Sequence, residues 1–176
     1  MHTIIRDTLT DAQAYLENFL SDENNIQAIA DAAEVLIGAL SQDKAIYSCG
    51  NGGSATAISD PGHISCVAND FGYEHIFSRY LQGRARAGDC LLAISTSGTS
   101  KNVIRAAEYA RESGIAVVSL TGKPGSVLGK LATVDISTGT SRYADRVQEV
   151  HIKVIHILIE LIERRFFPEN YQSAQG

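Results

Sequence analysis

The segment SCGNGGSATAISDP, residues 48–61, limits the fold more than any other part of the 176-residue chain. KAIYSCG reads as a short buried strand closed by glycine, and ATAIS as the tail of a second strand. Two parallel strands in one sheet need a crossover of a dozen or more residues, usually a helix. Only Asn51 to Ala55 separate AIYSCG from TAIS. Either they form an antiparallel pair, or a crossover helix expected between Ser54 and Asp60 is missing from the sequence.

The rest of the chain favours a parallel sheet. Residues 3–20 and 25–41 carry apolar residues at helical spacing, and each predicts an amphipathic helix. DCLLAIS (89–95), IAVVSLT (115–121) and ATVDIS (132–137) are apolar, β-branched runs of strand length. Between the first two, Val103, Ile104, Ala107 and Ala110 mark a helix that ends at Gly114. A final helix is expected over Arg142–Phe166, apolar on so many sides that burial or an oligomer interface must cover it. Strands alternating with helices define an α/β domain, and the length suits one domain over residues 1–176.

Charge and cysteine content exclude several classes of function. The 15 basic and 20 acidic residues are spread along the chain, so no basic field exists to grip a nucleic acid. A bound anion must be small and held by local donors. Cys49, Cys66 and Cys90 form no CxxC pair, which argues against a disulfide framework or a zinc ribbon and for reduced core cysteines. No apolar run is long enough for a membrane span and no signal peptide is visible, so the expected location is the cytoplasm.

Two loops rich in glycine and hydroxyls follow strands: GNGGS (50–54) and STSGTS (95–100). In an open α/β sheet, ligands bind beyond the carboxyl ends of the strands, so both loops belong to one rim. Ser95, Thr96, Ser97, Thr99 and Ser100 offer five hydroxyls, Gly98 permits the turn, and Thr99 or Ser100 can cap the helix that starts near Lys101. Neutral donors converging at a helix N-terminus suit a phosphate monoester. The dinucleotide pattern fits worse, because Asp60 lies only ten residues past Gly50, and no Walker sequence is present. In the last helix, Gln148 and His156 are eight residues apart, about 12 Å along the axis and about 80° around it. One such helix struggles to aim both side chains at a single atom. Shared sites between neighbouring subunits, or a break in the helix, would be needed. A lone histidine on a mostly apolar helix, such as His156, is more often a satisfied core residue than an acid–base or metal-binding one.

Taken together, SCGNGGS, AISD, HISCVANDFGYEHIFSRY, GDCLLAISTSGTSKNVI, VVSLTGK and YADRVQEVHIKVIHILIELIE resemble the sugar isomerase (SIS) domain, and within it the phosphoheptose isomerases. The resemblance implies that Ser95, Thr96, Ser97 and Ser100 hold the substrate phosphate. It implies sugar contacts at Asn51, Gly52, Gly53, Ser54, Ser59 and Asp60. His156 would be the acid–base residue and a zinc ligand, with Gln148 binding both metal and substrate. It further implies a homotetramer with interfacial active sites, each with one zinc, and interconversion of sedoheptulose 7-phosphate and D-glycero-D-manno-heptose 7-phosphate through an enediol or enediolate, feeding lipopolysaccharide core synthesis.

One departure stands out. Chains of this resemblance carry, after GNGGS, a helix with a histidine ligand and a glutamate base, and none of that is present here. The preferred expectation is a mobile segment missing from the sequence as written. A chain truly lacking it would have lost its base, and no isomerase activity would follow. Two alternatives remain: a non-catalytic SIS adaptor of the kind that binds the replication initiator, which shares the Phe167-Pro168 pair but not His156, and a sugar-phosphate sensor.

Overall fold

In the computed structural model, residues 1–51 and 58–171 are described. Helices α1 (His2–Leu20) and α2 (Glu23–Leu40) precede strand β1 (Ile46–Gly50). Helices α3 (Pro61–Phe71) and α4 (Ile76–Arg84), joined by a short 3-10 turn, lead to β2 (Cys90–Ser95). Then follow α5 (Lys101–Glu112), β3 (Ala116–Thr121), α6 (Val127–Leu131), β4 (Val134–Ser137) and α7 (Ala144–Phe166).

The opening puzzle is answered by α3 and α4. Residues 55–57 of ATAIS lie outside the described residues, and Ile58 and Ser59 are not strand. Ile58 donates its N–H to the Ser48 carbonyl at 3.2 Å, and the chain then turns directly into α3. Asp60 starts that helix by accepting the His63 N–H at 2.7 Å, with Pro61 in the first turn where its missing N–H costs nothing. The crossover from β1 to β2 is therefore helical and long enough for a parallel pair. Asp60-Pro61 was the available signal for α3.

All four strands are parallel, in the order β1-β2-β3-β4. Each crossover steps the same way, and right-handed crossovers then place their helices on one face. That face packs Leu91, Ala93 and Val117 of the sheet against Val67, Phe77, Leu81, Val103, Ala107 and Leu128 from the connecting helices. The opposite face would be bare without α1, α2 and α7. Cys90, Ile94, Val118, Leu120 and Ile136 meet Ala33, Leu36, Val150, Val154 and Leu158 there.

Helix α7 turns Val147, Val150, His151, Val154 and Leu158 inward at three- and four-residue spacing. It leaves Ile152, Ile157 and Ile159 exposed. Helix α1 buries only Phe19 and is tethered by Tyr15, whose Oη lies 2.6 Å from the Gly139 carbonyl, and by Asp11, 3.8 Å from buried Arg146. Ile4 and Leu9 remain 71% and 67% exposed, so α1 and α7 present an apolar outer surface. Of the three cysteines, Cys49 and Cys90 are buried and burial pushes both thiols up to about 12. Cys66 departs from the expected core position and is exposed, because it falls on the solvent side of α3. Among the described residues no helix is long and apolar enough to cross a membrane.

His151 is wholly buried, and neither ring nitrogen has a hydrogen-bond partner of good geometry among the described residues. Burial lowers its pKa from 6.5 to about 4, partly opposed by the Thr121 backbone. The unfolded chain therefore binds more protons below pH 6.5, and stability falls as the pH drops from there toward 4. Thermal melting across this range should show that loss in the wild type and a shallower one in His151→Leu.

Candidate functional site

Strand register brings the loop-bearing ends together. Gly50 pairs with Ile94, and Ser95 with Thr121, so the loops after β1, β2 and β3 leave from one rim. The expected shared rim is thus present.

The loop after β2 is a compact hydroxyl cluster. Ser95, nearly buried, lies with its Oγ 3.0 Å from that of Ser100 and 3.5 Å from that of Ser97. The Ser97 hydroxyl accepts from the Thr99 N–H at 3.2 Å and from its hydroxyl at 3.0 Å. Gly98 has φ +64°, and a Cβ there would collide with the Ser126 side chain. Its carbonyl also accepts the Leu128 N–H at 3.1 Å, which fixes the loop to α6. Thr96 is pinned through its carbonyl, which accepts the Gly122 N–H at 3.0 Å. Gly122 has no room for a side chain between that carbonyl and Val147.

The expected hydroxyl cap on α5 is not made. Ser100 occupies the N-cap position, but no side chain there caps the helix, and its hydroxyl turns to Ser95 instead. The hydroxyls and the positive end of α5 consequently face the same point, which suits an anion.

Beside the loop opens a cavity of about 420 Å³, lined by Thr96, Ser97, Thr99, Gly122, Lys123, Thr140, Ser141, Ala144 and Val147. Lys123, Thr140 and Ser141 were not anticipated as site residues. The signal for Lys123 lay in its position two residues beyond β3, on the rim where the hydroxyl loop ends β2. An ammonium group at the mouth adds a charge that the hydroxyls lack.

The other expected residues fall in separate places. Asn51 stands at the rim, where its side-chain amide and that of buried Asn102 exchange hydrogen bonds of 2.9 and 2.7 Å. Gly52, Gly53 and Ser54 lie outside the described residues. Ser59 and Asp60 are exposed, and the Asp60 carboxylate serves as the cap of α3. Gln148, half-buried, follows the cavity residue Val147 on α7, whereas exposed His156 lies two turns further along the same unbroken helix. Within one chain, therefore, the structure gathers the phosphate-loop residues and Asn51 but not His156.

A parallel α/β sheet with a serine loop at its carboxyl rim is the architecture of a sugar-phosphate-handling domain, and the SIS domain family model matches residues 56–122. Phosphoheptose isomerase from Edwardsiella ictaluri is 48% identical over 184 residues, spanning 92% of this chain and 95% of the relative. The phosphoheptose isomerase of an Enterobacter species is 50% identical over 184 residues, with 92% and 96% covered. The solved phosphoheptose isomerase from Neisseria gonorrhoeae superposes with a TM-score of 0.86 at 28% identity, covering 92% of this chain and 98% of that one. The chain belongs to the phosphoheptose isomerase family. Each sequence match runs over 184 positions while using only 92% of 176 residues, so about twenty positions of the relatives face a gap in this chain.

The anion loop yields two linked expectations. Gly98→Ala forces a side chain into a left-handed backbone and against Ser126, at a cost of about 1–3 kcal/mol, and should lose phosphate affinity together with thermal stability. Lys123→Met should weaken inorganic phosphate binding several-fold without lowering the melting temperature, and rising salt should narrow its gap from wild type, as followed by calorimetric titration.

Proposed function

We propose that this chain is an aldose–ketose isomerase that converts sedoheptulose 7-phosphate to D-glycero-D-manno-heptose 7-phosphate for heptose and lipopolysaccharide core synthesis in the cytoplasm. The observation that carries this reading is the Ser95–Ser97–Ser100 hydroxyl cluster at the uncapped start of α5, in a chain nearly half identical to phosphoheptose isomerases. Ser95, Thr96, Ser97 and Ser100 bind the phosphate, aided by Lys123. Asn51, Gly52, Gly53, Ser54, Ser59 and Asp60 are assigned to the sugar end, with Gln148 at the mouth. His156 takes the proton from the carbon next to the carbonyl. The resulting enediol or enediolate receives it on the neighbouring carbon, and hydroxyl donors stabilise the developing oxyanion.

His156 has to reach this site from another subunit, because it is about 12 Å along α7 from Gln148. A homotetramer with interfacial sites is supported by the apolar outer surface that α1 and α7 expose. Zinc is not supported in the same way. Among the described residues no three His, Cys, Asp or Glu side chains gather to hold an ion, and Gln148 with His156 on one straight helix supply too few donors at one point. The donors of a single chain therefore do not fit zinc, and no step above runs through a metal.

The shortfall of about twenty positions against the relatives favours a second reading, a sugar-phosphate binder without turnover. We place the missing stretch in the loop after Ser54. Incubating the purified chain with sedoheptulose 7-phosphate and following product by anion-exchange chromatography decides between the two. The isomerase reading expects turnover that His156→Ala abolishes while ester binding persists, and about tenfold weaker binding in Ser97→Ala. Tight ester binding with no turnover in the wild type would leave the binder.

A further inference from the structure

Asn102 is a poor residue for its surroundings unless it serves the site. It is 3% exposed in the second position of α5, and its neighbours on the buried stripe are Val103, Ala106, Ala107 and Ala110. An aliphatic side chain would suit that layer, and an asparagine there is tolerated only if its amide is fully partnered. Its partners are specific. Its Oδ1 accepts from Asn51 Nδ2 at 2.9 Å and from the Val103 N–H at 3.0 Å, while its Nδ2 donates to Asn51 Oδ1 at 2.7 Å. Such a reciprocal pair needs a donor and an acceptor side by side on both residues, which among side chains of this length only asparagine offers.

The pair spans the two rim loops. Asn51 directly follows Gly50 at the end of β1, and Asn102 directly follows Lys101 at the start of α5. Its Oδ1 also satisfies one of the free N–H groups in the first turn of α5, a duty the Ser100 hydroxyl has given up in favour of Ser95. One amide thereby leaves the serine hydroxyl available to an anion and ties Asn51, at the end of β1, to the start of α5.

We infer that Asn102 is a positioning residue: acting through Asn51, it holds the carboxyl end of β1 against the start of α5, so that Asn51 meets a phosphate ester at its sugar end while the serine loop meets its phosphate. The inference rests on the sugar-phosphate reading above.

The test is calorimetric titration of the full chain, Asn102→Ala, Asn51→Ala and the double variant, each with sedoheptulose 7-phosphate and separately with inorganic phosphate. Each single variant should bind the sugar ester about tenfold more weakly, the double variant no more weakly than either, and inorganic phosphate should stay within about twofold throughout. A parallel fall for inorganic phosphate, or single effects that multiply in the double variant, would overturn the inference. If Asn102→Ala does not fold, Asn102→Asp retains the acceptor for Val103 and Asn51 but loses the donor. A folded Asp variant with undiminished ester affinity would overturn it as well. A wild-type chain that binds the ester without turning it over defeats the isomerase reading alone, since the comparison of variants still reads out.

Discussion

The direction of the sheet governs everything else in this molecule. Because β1 to β4 are parallel and follow one another in chain order, the described connecting helices lie on one face and the loops that leave the strands' carboxyl ends open on one rim. The first consequence is a second face that must be covered from outside the alternation, by α1, α2 and α7. The second is a rim on which Gly50, Ser95 and Thr121 end side by side. Placement of the anion loop, of Lys123 and of the Asn51–Asn102 pair all descends from that register.

Much of this was legible from residue patterns. The apolar, β-branched runs at 89–95, 115–121 and 132–137 could be little else than buried strands, and they became β2, β3 and β4. The amphipathic spacings near the N-terminus became α1 and α2 with ends within two residues of those expected. Helices α3 and α4 were not legible by the same means. Their hydrophobic periodicity is short and interrupted by Gly72 and the Tyr73–His75 turn, and the Asp60-Pro61 start of α3 directly follows the strand-like run ATAIS. Helix α6, five residues long, is too short to show a period at all.

The site was legible in part, for a related reason. Five hydroxyls in six residues after a strand suggest an anion loop, and the structure turns four of them, on Ser95, Ser97, Thr99 and Ser100, toward one another. Lys123 and Asn102 carry no such local pattern. Their significance depends on which strand end and which helix start the topology sets beside the serine loop. Likewise the spacing of Gln148 and His156 was informative on its own, because α7 proved to be one continuous helix. That rigidity separates the end of the chain proposed to hold the phosphate from the histidine proposed to move the proton. It makes a shared site between subunits the physical requirement of the proposed chemistry.

Complementation in mixed oligomers tests that requirement most directly. A Ser95→Ala/Ser97→Ala chain lacks the anion loop but keeps His156, and a His156→Ala chain has the reverse defect. Co-expressed with different tags and purified through both, the mixed oligomer should regain isomerase turnover that neither variant shows alone. Mixed oligomers that form but remain inactive, beside an active wild type, would contradict a site assembled from the loop of one subunit and the histidine of another.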